Sequence, residues 1–272
     1  MSIEATAAPS VLTFNDAEGS PLSIRARALV FVDPLSQTLA HTVEQWAPEA
    51  RPLLIHGEIG TGRELLARYI HRVSGRPGLF VSLNCASLSP QYGEAELFGH
   101  APGIINSTAS SRAGWLGSAQ AGTLYLDEIA DLSLSMQKTL LNVLETREVL
   151  RIGAKETTLV DVRIIASTTV DLSRVVAVGR FDKNLFEYLK DGFLHLPALR
   201  ERKGDLLPTA EYLLGVHARR LGIATPEISE DAIHRLMNYK WLGNTKELEK
   251  IMHFALLLSD GVITSQHLML SE

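Results

Sequence analysis

The chain has 272 residues, enough for one large domain or one large and one small domain, and 46% of them are hydrophobic, so a sizeable core can form. A formal charge of −5 argues against a chain whose main business is coating nucleic acid, because phosphate binding wants a cationic surface. The single cysteine, Cys85, excludes an internal disulfide. No segment reads as a signal peptide, and the longest apolar stretches, such as Phe254 to Leu258, are too short to span a bilayer. A cytoplasmic chain without membrane contact is expected.

Residues 1–25 are rich in Ala, Ser, Thr and Pro and read as a flexible tail, with an edge strand around Val11 to Phe14 as the alternative. Leu29-Val30-Phe31-Val32 reads as a strand, and Asp33-Pro34 then opens a helix, since Asp caps well and Pro suits the first turn. Leu53-Leu54-Ile55 is a second strand, followed by a glycine-rich loop. A helix comes next, with Leu65, Leu66, Tyr69, Ile70 and Val73 at helical spacing. Further strands are expected over Leu79 to Leu83, Thr123 to Leu126 and Val162 to Ala166. Strands alternating with helices predict an α/β domain, with a mainly parallel sheet sandwiched by helices, over 26–202. After Pro197 the pattern is helical: Leu206 to Leu221, Ala232 to Met237 and Lys246 to Leu258, punctuated by Gly204, Gly222 and Gly243. A small helical domain over 203–272 follows from it.

The loop reads Gly57-Glu58-Ile59-Gly60-Thr61-Gly62-Arg63-Glu64, between a strand and a helix. In that context glycines curl the backbone so that N–H groups converge, and the helix N-terminus adds partial positive charge, which is how a P-loop holds phosphates. Relative to G-x-x-x-x-G-K-[ST], Arg63 stands at the Lys position and Glu64 at the Ser/Thr position. A guanidinium keeps the charge but is a wide planar fork, not a compact point charge. About 65 residues on, Leu124-Tyr125-Leu126-Asp127-Glu128 is a strand ending in acids. Asp127 is the candidate to hold Mg2+ through water, and Glu128 the candidate to orient or deprotonate an attacking water. The nine histidines make no metal-ligand spacing; His41, His56, His71 and His100 read as surface or capping residues. Cys85 reads as a buried inert thiol, and Trp115 and Trp241 as packing residues.

Several stretches together resemble the AAA+ central domain of bacterial enhancer-binding proteins, the activators of sigma-54 RNA polymerase. They are Gly57 to Glu64, Phe80 to Cys85, Glu94 to His100, Gly122 to Ile129, Val160 to Ala166, Leu196 to Arg202 and Trp241-Leu242-Gly243-Asn244, so the resemblance runs from about Ala28 to the C-terminus. It implies an AAA+ P-loop NTPase fold with a helical lid, ATP held between subunits, and ring-shaped hexamers. It also implies that Asn84 is a switch asparagine pairing with Glu128, and that Lys246 contacts nucleotide from the lid.

The departures from the family pattern concern its working parts. Where the family carries G-A-F-T-G-A, the loop that touches sigma-54, this chain reads Gly103-Ile104-Ile105-Asn106-Ser107-Thr108. Asp182 and Tyr188 occupy the positions of two arginines that the family supplies to a neighbour's phosphates, and such fingers are typically worth ~10³ or more in rate. The sensor stretch Ala-Ala-Thr-Asn is here Ala166-Ser167-Thr168-Thr169, and the lid's Gly-Asn-Val-Arg-Glu-Leu is Gly243-Asn244-Thr245-Lys246-Glu247-Leu248. The resemblance therefore implies an ATP-binding transcriptional regulator impaired in hydrolysis and in direct sigma-54 remodelling. It would act through protein partners, either an active relative in a mixed ring or sigma-54 RNA polymerase. The alternatives are a working sigma-54 activator, with replacement fingers from Arg180, Lys183 or Arg202, and an interaction module that keeps only the fold. The family's helix-turn-helix has no counterpart before Glu272, so direct DNA binding is not expected of this chain.

Overall fold

The computed structural model describes residues 11–13, 28–103 and 112–270. In chain order the strands are β1 (Val11–Thr13), β2 (Ala28–Val30), β3 (Leu53–His56), β4 (Phe80–Asn84), β5 (Thr123–Asp127), β6 (Glu148–Leu150), β7 (Thr157–Leu159), β8 (Arg163–Thr168), β9 (Phe193–His195), β10 (Glu227–Ile228) and β11 (Val262–Ile263). The α-helices are α1 (Pro34–Trp46), α2 (Arg63–Val73), α3 (Gly93–Phe98), α4 (Gly114–Ser118), α5 (Leu134–Thr146), α6 (Leu172–Ala177), α7 (Lys183–Lys190), α8 (Leu206–Leu221), α9 (Glu230–Asn238) and α10 (Asn244–Leu258). They fall into two units, one of Glu44–His56 and Ala67–His195, the other of Met1–Val43, Gly57–Leu66 and Leu196–Glu272.

The first of these is an α/β unit around a five-stranded sheet, order β4-β5-β8-β3-β9, parallel throughout. Every residue of β8 is buried, as are the first four of β5, which is why these strands read as continuous apolar runs rather than alternating ones. Leu124, Leu126, Ile164 and Ala166 pack with Leu140, Val143 and Leu144 of α5 and with Leu185 and Leu189 of α7. Arg163 begins β8 at 2% exposure. Its guanidinium donates to the carbonyls of Ala47 and, at 3.1 Å, Trp46, which places a cation on the last carbonyls of α1. Among the elements not foreseen from sequence are edge strand β9, the antiparallel hairpin β6–β7, the short strands β10 and β11, and helices α3 to α6.

In the other unit, α8, α9 and α10 close a core of Leu213, Leu214, Leu236, Leu248, Met252 and Leu256 around Trp241. The Trp241 indole N–H donates to the Leu236 carbonyl at 2.9 Å. Helix α8 spans the expected residues and stops at Gly222, whose φ of +68° puts it in the left-handed conformation that glycine adopts cheaply. At α1, Asp33 Oδ1 accepts from the Leu35 N–H at 3.0 Å, the cap expected there. Val11–Thr13 form a strand where the sequence offers an edge strand as the alternative, pairing antiparallel with β2 in the register Val11 to Val30. Trp115, expected to pack, is 39% exposed, and His100, expected at the surface, is 4% exposed. Among the described residues no helix is long and apolar enough to cross a membrane.

Candidate nucleotide-binding site

Strand β3 leads directly into the glycine loop. Gly60 has φ +83° and Gly62 φ +104°, conformations that side chains rarely adopt. A Cβ on Gly60 would lie 2.3 Å from the Gly243 carbonyl oxygen, so both curvature and packing demand glycine there. Thr61 Oγ1 donates to the Glu58 carbonyl at 2.8 Å and closes the turn. Helix α2 starts at Arg63, and the Leu66 N–H bonds the Gly62 carbonyl at 2.9 Å. The loop therefore runs into a helix N-terminus, the arrangement that suits an anion. Arg63 is buried, at 8% exposure. It donates to the Gly57 carbonyl at 2.6 Å, so the cation expected to meet phosphate is folded onto the loop's own backbone.

The outer side of the loop is stitched to residues from the C-terminal part of the same unit. Glu58 takes two bonds from the Arg200 guanidinium, one of them at 2.8 Å. Buried Asn244 donates to Glu58 Oε2 at 3.1 Å and to the Ile59 carbonyl at 3.0 Å, and accepts from the Leu199 N–H at 2.8 Å. Arg202 donates to the Thr61 carbonyl at 2.9 Å. Arg202 also faces buried Asp205, which accepts from the Val32 and Asp33 N–H groups at 2.7 Å each and from the Ser36 hydroxyl. Lys246 stands in the first turn of α10, its Cβ 3.2 Å from where a Cβ on Gly60 would sit. Sequence reasoning assigned Glu58 only to the loop and missed this stitching. The pairs lie 142 and 186 residues apart, and no local pattern announces them.

The acids belong to the α/β unit. Asp127 ends β5, and its Oδ1 accepts from Tyr125 Oη at 3.0 Å and from Ser167 Oγ at 2.5 Å. The two hydroxyls are themselves 2.8 Å apart. Glu128 follows in a left-handed conformation, φ 53° and ψ 58°, an uncommon state for a residue with a side chain. Its Oε2 accepts from Thr169, from the N–H at 3.0 Å and the hydroxyl at 3.1 Å. Asn84, which the resemblance pairs with Glu128, instead turns its Oδ1 to the Ala86 N–H at 3.0 Å and caps the turn Cys85–Ser87. Cys85 is buried, and burial, then the charges of Asp127, Asp131 and Glu128, push its thiol well above the usual range, in keeping with an inert group.

The two residues that the resemblance sets at finger positions, Asp182 and Tyr188, each have a partner within the α/β unit. Asp182 is the N-cap of α7: its Oδ1 accepts from the Asn184 and Leu185 N–H groups, both at 2.9 Å. The carboxylate expected to repel phosphates therefore serves its own helix. Tyr188 donates its hydroxyl to the Leu144 carbonyl of α5 at 3.2 Å. Arg180 and Lys183 are exposed, whereas Arg202 is 3% exposed and committed to Thr61 and Asp205. Of the 103–108 loop only Gly103 lies among the described residues. The base of that segment is a pair of bonds between His100 and Arg112, at 3.0 and 3.1 Å.

The loop's glycine conformations and helix terminus fit a nucleotide's phosphates, and the paired acids at the end of β5 fit a hydrated divalent cation. Arg63, folded onto the Gly57 carbonyl, and Glu64, at the Ser/Thr position, are out of place for that ligand.

Comparison with known proteins identifies the family. The sigma-54 interaction domain family matches residues 29–195, and the AAA+ ATPase lid domain matches residues 200–271. The chain is 44% identical over 252 residues to the sigma54-dependent transcriptional activator SfnR of Pseudomonas putida, covering 92% of this chain and 69% of that protein. It is 43% identical to SfnR of Pseudomonas fluorescens, over 96% of this chain and 72% of that one. Among solved structures, NtrX from Brucella abortus in complex with ADP superposes with a TM-score of 0.81 at 34% identity, covering 88% of this chain and 54% of NtrX. The same protein in complex with ATP gives 0.78. The chain thus spans about half the length of NtrX.

Proposed function

The chain belongs to the sigma-54 interaction domain family, and from that premise we propose that it binds ATP with Mg2+, turns it over slowly, and regulates transcription through protein partners. The observation that carries the slow turnover is the use of both finger positions inside the α/β unit, Asp182 as a helix cap and Tyr188 as a partner of the Leu144 carbonyl. A neighbouring subunit would receive no guanidinium from either.

In this reading Gly57 to Gly62 hold the phosphates by backbone, Asp127 holds the cation through water, and Glu128 orients a water. ATP and Mg2+ supply the phosphoanhydride and the charge neutralisation. The likeness to NtrX, solved with ADP and with ATP, supports the nucleotide. The name carried by SfnR supports a role in sigma-54-dependent transcription, with sigma-54 RNA polymerase or an active relative in a mixed ring as the partner. The test is titration of a non-hydrolysable ATP analogue against the protein and its Asp127→Ala variant, with Mg2+ present and absent. Binding that is strengthened by Mg2+ in the wild type but not in the variant is expected. No binding at millimolar nucleotide would leave an interaction module that keeps only the fold.

One observation favours a second reading, a working ATPase activator: Arg180 and Lys183 are exposed on either side of Phe181-Asp182. Loss of phosphate release in an Arg180→Ala, Lys183→Ala double variant would establish them as replacement fingers.

A further inference from the structure

Both acids at the end of β5 are held by hydroxyls from the end of β8. Ser167 lies in β8, and Thr169 stands just past its last residue, Thr168. Ser167 bonds Asp127, its cross-strand neighbour in the register that sets Leu126 against Ala166. Thr169 bonds Glu128 through backbone N–H and hydroxyl together, on one oxygen, Oε2. A carboxylate oxygen offers about two lone-pair positions. Two donors at 3.0 and 3.1 Å fill those of Oε2, and the left-handed backbone at Glu128 sets the side chain toward them. These positions are alanine and asparagine in the family pattern that the sequence resembles, so the two hydroxyls are features of this chain's own sequence.

We propose that Thr169 is a positioning residue that restrains Glu128 by two bonds to one carboxylate oxygen, and so slows hydrolysis at the nucleotide site. The proposal rests on the nucleotide reading above. It differs from the loss of arginine fingers because it acts within one chain and is weakened by removing a single hydroxyl.

The variant Thr169→Val keeps the β-branched shape and the backbone N–H and removes only the hydroxyl. Thr169→Ser keeps the hydroxyl. ATP affinity and steady-state phosphate release of wild type, Thr169→Val and Thr169→Ser are measured with Mg2+. The expected result is a kcat in Thr169→Val about tenfold above wild type, the order set by one hydrogen bond to a charged group, with ATP affinity within about twofold and Thr169→Ser at the wild-type rate. A purely structural role for the hydroxyl would lower thermal stability and affinity and would not raise kcat. An unchanged or lower kcat with ATP still bound overturns the restraint, as does bound ATP with no phosphate release from any of the three. Failure of all three to bind ATP overturns the nucleotide reading itself, and the restraint with it.

Discussion

Replacing Asp205 with alanine removes a carboxylate that is fully buried and holds four groups. It accepts from the Val32 and Asp33 N–H groups at 2.7 Å, from the Ser36 hydroxyl, and faces the Arg202 guanidinium at 3.5 Å. Arg202 is itself 3% exposed, and burial pulls its pKa down against the opposing charge of Asp205. Without Asp205 a guanidinium stays buried with its counter-charge gone, which costs about 3–5 kcal/mol. A domain has only about 5–15 kcal/mol in total, so the unit that carries the glycine loop should lose about a fifth or more of its stability. The assay is urea denaturation followed by Trp241 fluorescence in a Trp46→Phe, Trp115→Phe background, since Trp241 is the tryptophan in that unit's core. An Asp205→Ala, Arg202→Met double variant should lose less than the sum of the two single losses, by ~2 kcal/mol or so, because it leaves no buried charge alone. A single-variant loss below ~1 kcal/mol, or strict additivity, would refute this account of the pair.

Other outcomes follow from the same geometry. Arg63→Lys exchanges a fork folded onto the Gly57 carbonyl for an ammonium that makes a better phosphate ligand, and should tighten ATP binding by up to about tenfold in calorimetry; weaker binding would show that the guanidinium already reaches the nucleotide. Asp182→Ala removes a helix cap, so it should cost about 1 kcal/mol in thermal unfolding without raising phosphate release, whereas a rise would mean that the acid faces the phosphates. His217 is buried among His253, Glu249 and Arg220, and burial first, then His253 and Arg220, push its pKa from 6.5 down to about 4. The folded state then favours the neutral ring while the unfolded chain protonates below about 6.5. Stability is full above that pH and falls as pH drops toward about 4, with about 1.4 kcal/mol already lost at pH ~5.5. His217→Gln should flatten the change in urea midpoint between pH ~7.5 and ~5.5, and an unaltered slope would assign the sensitivity elsewhere.

The central strands were legible because each is buried on both faces, which forces a run of apolar residues that composition alone reveals. Strand β9 was not, since only Leu194 of its three residues is buried, and β7 was not, since Thr157–Leu159 are all exposed. The loop and the two acids were legible as chemistry. What those residues touch was not. Nothing near Glu58 in sequence points to Arg200 or Asn244, and the rotamer that folds Arg63 onto Gly57 depends on how the loop curls. Asp182 and Tyr188 read from sequence as losses. The structure shows that each has a use, which sequence comparison with the family pattern could not reveal because it registers only what the family has there. Asn84 was legible as a residue type, but its partner here is Ala86, two residues on, at a turn that forms locally.

The most direct test of slow turnover on a competent cradle is steady-state phosphate release by the purified chain at saturating ATP and Mg2+, run beside an ATPase-active member of the family. If Asp182 and Tyr188 replace the fingers as proposed, ATP is bound but released as phosphate at least about a hundredfold more slowly than by the active relative. Turnover within a few fold of that relative would contradict it.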